Sequence, residues 1–117
     1  MTDEQTILTL AQALKNSDQA IMVDLLLNWQ QEKARINDPE AFHDGTWWVY
    51  MPIRAWQEQL SWISERTIQR NLKELNELGL IRIGDFNRYR YDRTRWYTVN
   101  EEKLKKMISE DRGKNNG

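Results

Sequence analysis

The sequence predicts an α+β domain that is mainly α, and three observations carry that fold class. Apolar residues recur at helical spacing in four separate stretches before residue 79. The last two, one ending at Leu60 and one beginning near Ser64, are separated only by a tight break at Ser61-Trp62-Ile63. Beyond Gly79, two strand-like runs, Leu80–Ile83 and Arg95–Val99, flank a segment rich in arginine and tyrosine. Helix, turn, helix and β-ribbon in that order is the layout of a winged helix-turn-helix, here with extra flanking helices.

The elements follow in order. Thr2 with Gln5 makes a weak capping box for a first helix, whose apolar face is Ile7, Leu8, Leu10, Ala11 and Leu14. Asn16-Ser17-Asp18 interrupts it, and Ser17 is the expected N-cap of a second helix carrying Ile21, Met22, Leu25, Leu26 and Trp29. Asn37-Asp38-Pro39 ends that helix, because proline disfavours the helical conformation of the residue before it. Asp44-Gly45 signals a turn, and Trp47 to Tyr50 favour a strand. Pro52 suits a first helical position, and Ile53, Trp56 and Leu60 share a face of the helix it opens.

Ser64 is the expected N-cap of the next helix, in which Ile68, Leu72 and Leu75 form the core stripe, and Gly79 fits the left-handed position just past its end. In the two runs that follow, strand alternation turns one of Trp96 and Tyr97 inward. Asn100 caps a last helix with Leu104, Met107 and Ile108 on its thin apolar face, and residues from Arg112 to Gly117 are expected to fray. The organisation is thus an N-terminal helix over 1–16, a winged-helix domain over 17–100, and a C-terminal helix with a disordered tail over 101–117.

Composition narrows the function. The chain has 117 residues, enough for one modest core, and is 39% hydrophobic and 30% charged. It has no cysteine, which excludes disulfides, thiolate catalysis and cysteine-based zinc sites. No apolar run approaches the ~20 residues of a membrane span, and the acidic start MTDEQTILTL does not read as a signal peptide. A cytoplasmic protein with no membrane partner is the expectation. The net charge is −1, but it is unevenly spread. Residues 1–50 hold 3 Lys+Arg against 8 Asp+Glu, whereas residues 51–100 hold 9 against 6. Fields reach only ~8 Å at physiological salt, so the local basic surplus matters more to a phosphate backbone than the total.

The helix after Ser64 supplies the first candidate DNA-binding residues. With ~100° between successive residues, Arg66, Arg70 and Lys73 lie roughly opposite the core stripe, Gln69 lies beside them and Thr67 sits in the first turn. These side-chain types reach base edges and phosphates in a major groove. A solvated amphipathic helix would also carry charge, and Glu65 and Glu74 dilute the basic face. The ribbon adds Arg88, Arg90, Arg93 and Arg95, with Arg82 before them, interleaved with Tyr89, Tyr91 and Trp96 and opposed only by Asp85 and Asp92. Arginines on a ribbon tip enter a minor groove or clamp phosphates; charge that merely protects sheet edges would explain the basic residues but not the near-absence of lysine and glutamate among them. Arg82 and Arg95, within the strands, have Glu74, Glu77 or Asp92 as alternative partners. His43, the one histidine, lies beside a turn and suits a surface role. No nucleophile triad, phosphate-binding glycine loop or metal-ligand spacing occurs, so no enzyme, cofactor or metal is expected.

His43 to Tyr50, then Trp56-Gln57-Glu58-Gln59, Ser64-Glu65-Arg66-Thr67-Ile68-Gln69-Arg70, Gly79-Leu80-Ile81 and Asp92-Arg93-Thr94-Arg95-Trp96-Tyr97-Thr98 together carry a resemblance. Over roughly residues 17–100 the chain resembles the N-terminal winged-helix domain of replication initiators and replisome organisers. These serve phages, plasmids and other mobile elements of low-GC Gram-positive bacteria, often joined to a DnaD-type C-terminal domain. The resemblance implies binding of double-stranded DNA at an origin and recruitment of the replicative helicase machinery. No DnaD-type segment follows here, and the resemblance then implies that helicase loading would sit on residues not present in this sequence. A homodimer is a further expectation, through Ile7, Leu10 and Leu14 and the exposed one of Trp47 and Trp48. Two other readings remain open: a protein-interaction module such as a phage-encoded inhibitor, and a transcriptional regulator of a mobile element.

Overall fold

A computed structural model describes residues 4–115 of the chain, with side chains from residue 5 to residue 111. It is an α+β domain with two small antiparallel sheets. The helices are α1 (Glu4–Leu14), α2 (Ser17–Arg35), α3 (Ile53–Gln59), α4 (Glu65–Glu77) and α5 (Glu101–Asn115); a 3-10 turn spans Pro39–Ala41. The strands are β1 (Phe42–His43), β2 (Thr46–Trp47), β3 (Val49–Tyr50), β4 (Ile81–Gly84) and β5 (Trp96–Val99). β1 pairs with β2, and the second sheet has the order β3-β5-β4.

Local chemistry accounts for most boundaries. Asn16, rather than Ser17, caps α2: its side chain accepts from the Gln19 N–H, and Ser17 is already helical. The choice between two good caps is made by a tertiary contact, because the same Asn16 side chain also donates to Asn71 of α4. Asp38 caps the 3-10 turn by accepting from the Glu40 N–H. Asp44 and Gly45 have φ of 52° and 78°, the pair of positive values that a two-residue hairpin of right-handed twist requires. Pro52 sits one residue before the first helical position, at the N-cap of α3. Ser64 caps α4 through Thr67 N–H, and Gly79 has φ of 80° just past the end of α4. Asn100 caps α5 through Lys103 N–H. α5 is helical as far as Asn115, past the expected fraying point at Arg112. The capping box expected at Thr2 lies outside the described residues.

The run from Trp47 to Tyr50 is not one strand. Trp48 breaks it: its N–H donates to Ala41 O at 2.8 Å, its ring N–H donates to His43 O at 2.8 Å, and its side chain is buried. The chain thereby changes partner, from β1 before Trp48 to β5 after it, at Val49↔Tyr97 and Tyr50↔Trp96. On the other edge β5 pairs with β4 from Ile81↔Val99 to Gly84↔Trp96, so the β4–β5 hairpin expected from the sequence forms.

One core joins the five helices and the three-stranded sheet. It holds Leu10 of α1, Met22, Val23 and Leu26 of α2, Trp56 of α3, Ile68, Leu72 and Leu75 of α4, Ile81 and Tyr97 of the sheet, and Leu104 of α5. The flanking helices are therefore part of the domain rather than appendages to it. Leu10 is 2% exposed, and Ile7 and Leu14 also pack on the core. The face expected to mediate a homodimer is consequently used inside the monomer. Trp47 is half-buried and meets Phe42 edge-on. No helix of the described residues is long and apolar enough to cross a membrane.

Candidate nucleic-acid interface

α4 is fixed from both sides. Its buried stripe packs on the core, while Gln19 of α2 donates to Asn71 at 3.2 Å and to Glu74 at 2.6 Å. That pair of bonds orients the helix about its axis and occupies one of the two carboxylates that diluted its charge. The opposite face carries Arg66, Gln69, Arg70 and Lys73, all exposed. Thr67 does not join them. It is half-buried, and its hydroxyl accepts from Ser64 Oγ at 3.0 Å, so it reinforces the cap.

The segment between β4 and β5 is built by its own polar side chains. Asn87 donates to Asp92 O at 2.8 Å and Thr94 O at 2.6 Å, and accepts from the Trp96 ring N–H at 2.7 Å. Asp92 accepts from Thr94 N–H at 3.0 Å and from the Tyr50 hydroxyl at 3.2 Å. The bonds from Thr94, with help from Tyr50, hold the Asp92 carboxyl below its ordinary value. Beneath the loop, Phe86 lies flat on His43 with ring centres 4.2 Å apart and meets Trp48 and Trp96 edge-on. His43 is therefore a packing residue of this cluster, and its Nε2 lies 2.8 Å from Glu40 O.

Loop and helix enclose an open groove of ≈ 950 Å³. Gln69, Lys73 and Asn76 line it from α4; Arg93, Arg95, Tyr89 and Tyr91 line it from the other side, over a floor that includes Leu72 and Tyr97. Residues about 20 apart in sequence thus meet on one concavity. Arg66 lies about 60° round the helix from Gln69 and Arg70 about 100°, which places Arg66 on the near shoulder of the groove and Arg70 further out. Among the described residues no carboxylate lies within ion-pair distance of Arg66, Arg70, Lys73, Arg93 or Arg95. Asp92 lines the groove as well and remains ionised, its oxygens accepting from Thr94 N–H of the loop and the Tyr50 hydroxyl of β3.

The other arginines face elsewhere. Arg88 lies 3.6 Å from Glu40, on the far side of the loop, and both side chains are exposed. Arg90 borders a second concavity with Asp85, Asp92, Arg93 and Arg95. Arg82 sits over the Trp48 ring at 5.2 Å, rather than pairing with Glu74 or Glu77. Asn76 and the two groove tyrosines are absent from the residue set expected to touch DNA. Asn76 follows Gln69 and Lys73 at i+7 and i+3, a spacing visible in the sequence; the direction of the tyrosines depends on loop bonds that no periodicity encodes.

The described residues hold no group of three or more His, Cys, Asp or Glu placed to bind a metal. No family model matches the chain, and no significant match occurs among curated proteins or solved structures.

Proposed function

We propose that this chain is a winged helix that binds double-stranded DNA, with α4 as the recognition helix and the β4–β5 loop as the wing. The groove is the observation that carries this reading. It brings two amides and three cations from separate elements to one concave face, where Asp92 is the one carboxylate in the lining and none of the three cations is ion-paired. Amides and arginines are the groups that read base edges, and the wing cations fit phosphates flanking the contacted groove. The resemblance over residues 17–100 supports an origin of replication of a phage, plasmid or other mobile element as the target, with the replicative helicase machinery as a downstream partner.

The test is a footprint and gel shift on DNA surrounding the coding region, followed by single substitutions on the protected duplex. Lys73→Ala and Arg70→Ala should each weaken binding by about 1–3 kcal/mol if they reach bases, and the loss should concentrate at particular base pairs. Binding by both variants as tight as the parent's would remove α4 from the interface. Salt separates this reading from a protein-interaction module: DNA affinity falls steeply with salt, whereas docking through an apolar anchor does not.

A further inference from the structure

Two tyrosines of the loop have no part in the core. Tyr91 is 81% exposed, the highest value among the exposed large hydrophobic side chains of the described residues, and Tyr89 is 54% exposed. Their rings are stacked, with centres 5.4 Å apart and planes 14° from parallel. The loop that presents them is anchored by Asn87, Asp92 and the Trp96 ring N–H, and the Asp92 N–H closes it onto Tyr89 O at 3.1 Å. A loop with this much internal bonding has a defined shape, and that shape holds an aromatic pair in water. Arg90 precedes Tyr91 and Arg93 follows it beyond Asp92, and both tyrosines line the groove together with Lys73, Arg93 and Arg95.

We propose that Tyr91, backed by Tyr89, stacks on an unpaired base, so that the groove takes DNA at a junction between duplex and single strand rather than uniform duplex. The inference rests on the DNA-binding reading above and adds the state of the DNA to it. The bases of an intact duplex offer only their edges to a protein. A tyrosine ring gains from DNA mainly when it meets a base face, and away from duplex ends and kinked steps a face is free only where a base is unpaired or flipped. Every base has such a face, so this contact tolerates any sequence. Arg93 and Arg95, which share the groove with Tyr91, hold the phosphates next to the stacked base. The surface that reads duplex, α4, and the surface that takes the unpaired base, the loop tip, border the same groove and act on adjoining stretches of one strand.

The experiment compares three fluorescent probes with a common duplex at one salt concentration: a blunt duplex, a fork with two non-complementary tails, and the same fork with abasic tails. Abasic tails keep the phosphates and remove the faces, so charge and stacking are separated. The parent should bind the base-bearing fork about tenfold more tightly than the abasic fork, within the range expected for stacking of one base. Tyr91→Ala should abolish that difference, with a larger loss on the base-bearing fork than on either other probe; Tyr91→Phe should retain it. Equal binding of the two forks by the parent sinks the junction proposal and leaves the duplex reading intact. A Tyr91→Ala loss equal on all three probes also overturns it, by making the ring a support for the loop. Failure of the parent to bind any probe overturns both readings.

Discussion

Trp56 shows how a single residue is used here. It is fully buried and meets both Trp29 and Tyr97 edge-on, at 6.2 and 5.7 Å. Its ring N–H nevertheless has no acceptor in hydrogen-bonding geometry, the Tyr97 contact falling short of one. Two outcomes follow. Trp56→Ala should cost about 3–5 kcal/mol in urea unfolding, from lost burial and the cavity left behind. Trp56→Phe should cost far less, because it removes an unsatisfied donor along with the ring volume; equal losses would show that the N–H is satisfied in solution. Tyr97 adds a pH effect. Burial raises the pKa of its hydroxyl, partly offset by the Arg95 charge and the Trp56 contact. The folded value lies above the unfolded one, so the contribution is complete below about pH 10 and is lost as pH rises through the folded value. Alkaline unfolding should be detectable earlier in the parent than in Tyr97→Phe.

At the scale of the element, the β4–β5 loop is held by a few polar atoms and one close approach. A Cβ at Gly84 would lie 2.7 Å from Phe86 Cε2 and 3.1 Å from Trp48. Gly84→Ala should therefore displace Phe86 from His43 and cost about 1–3 kcal/mol, with the largest chemical-shift changes in the loop and at His43. Shifts confined to residue 84 would contradict this packing. Asp92 makes the loop acid-sensitive. Its pKa is lowered chiefly by Thr94, so its contribution is present above the unfolded value of 3.8 and disappears as pH falls through the folded one. Amide exchange at Thr94 should be protected at pH 5, relative to its intrinsic rate, and lose that protection in strong acid before α4 does.

Across the whole molecule, charge is sorted by place rather than by amount. Arg93 and Arg95 line the groove, whereas Arg88 faces Glu40 on the far side of the loop. Each phosphate neutralised adds about −0.9 to the slope of log affinity against log salt. Arg93→Ala with Arg95→Ala should make that slope shallower by up to ~2, while Arg88→Ala should leave it unchanged. The opposite result would move the duplex to the Glu40 side of the loop. The position of Arg88 in a basic run suggested a wing-tip phosphate contact, and only the fold shows which way it points.

Much was legible because it is local. Ser64, Gly79, Asp44-Gly45 and Asn100 act on their own neighbours through caps and positive φ, so helix ends and one hairpin follow from a few adjacent residues. The helical spacing of Ile68, Leu72 and Leu75 assigned the outer face of α4 in the same way. What the tertiary structure alone decided depends on residues distant in sequence. Asn16 caps α2 while it holds Asn71; Trp48 splits a strand because Ala41 and β5 claim different parts of it; Leu10 turns inward because α2 and α5 cover it. The groove belongs to this second class. Its walls meet because α4 packs on β4, from which the loop springs, and the bonds of Asn87 and Asp92 hold that loop in shape. A one-dimensional pattern specifies which face of an element is apolar, but the partner of that face is set by the packing of the whole core.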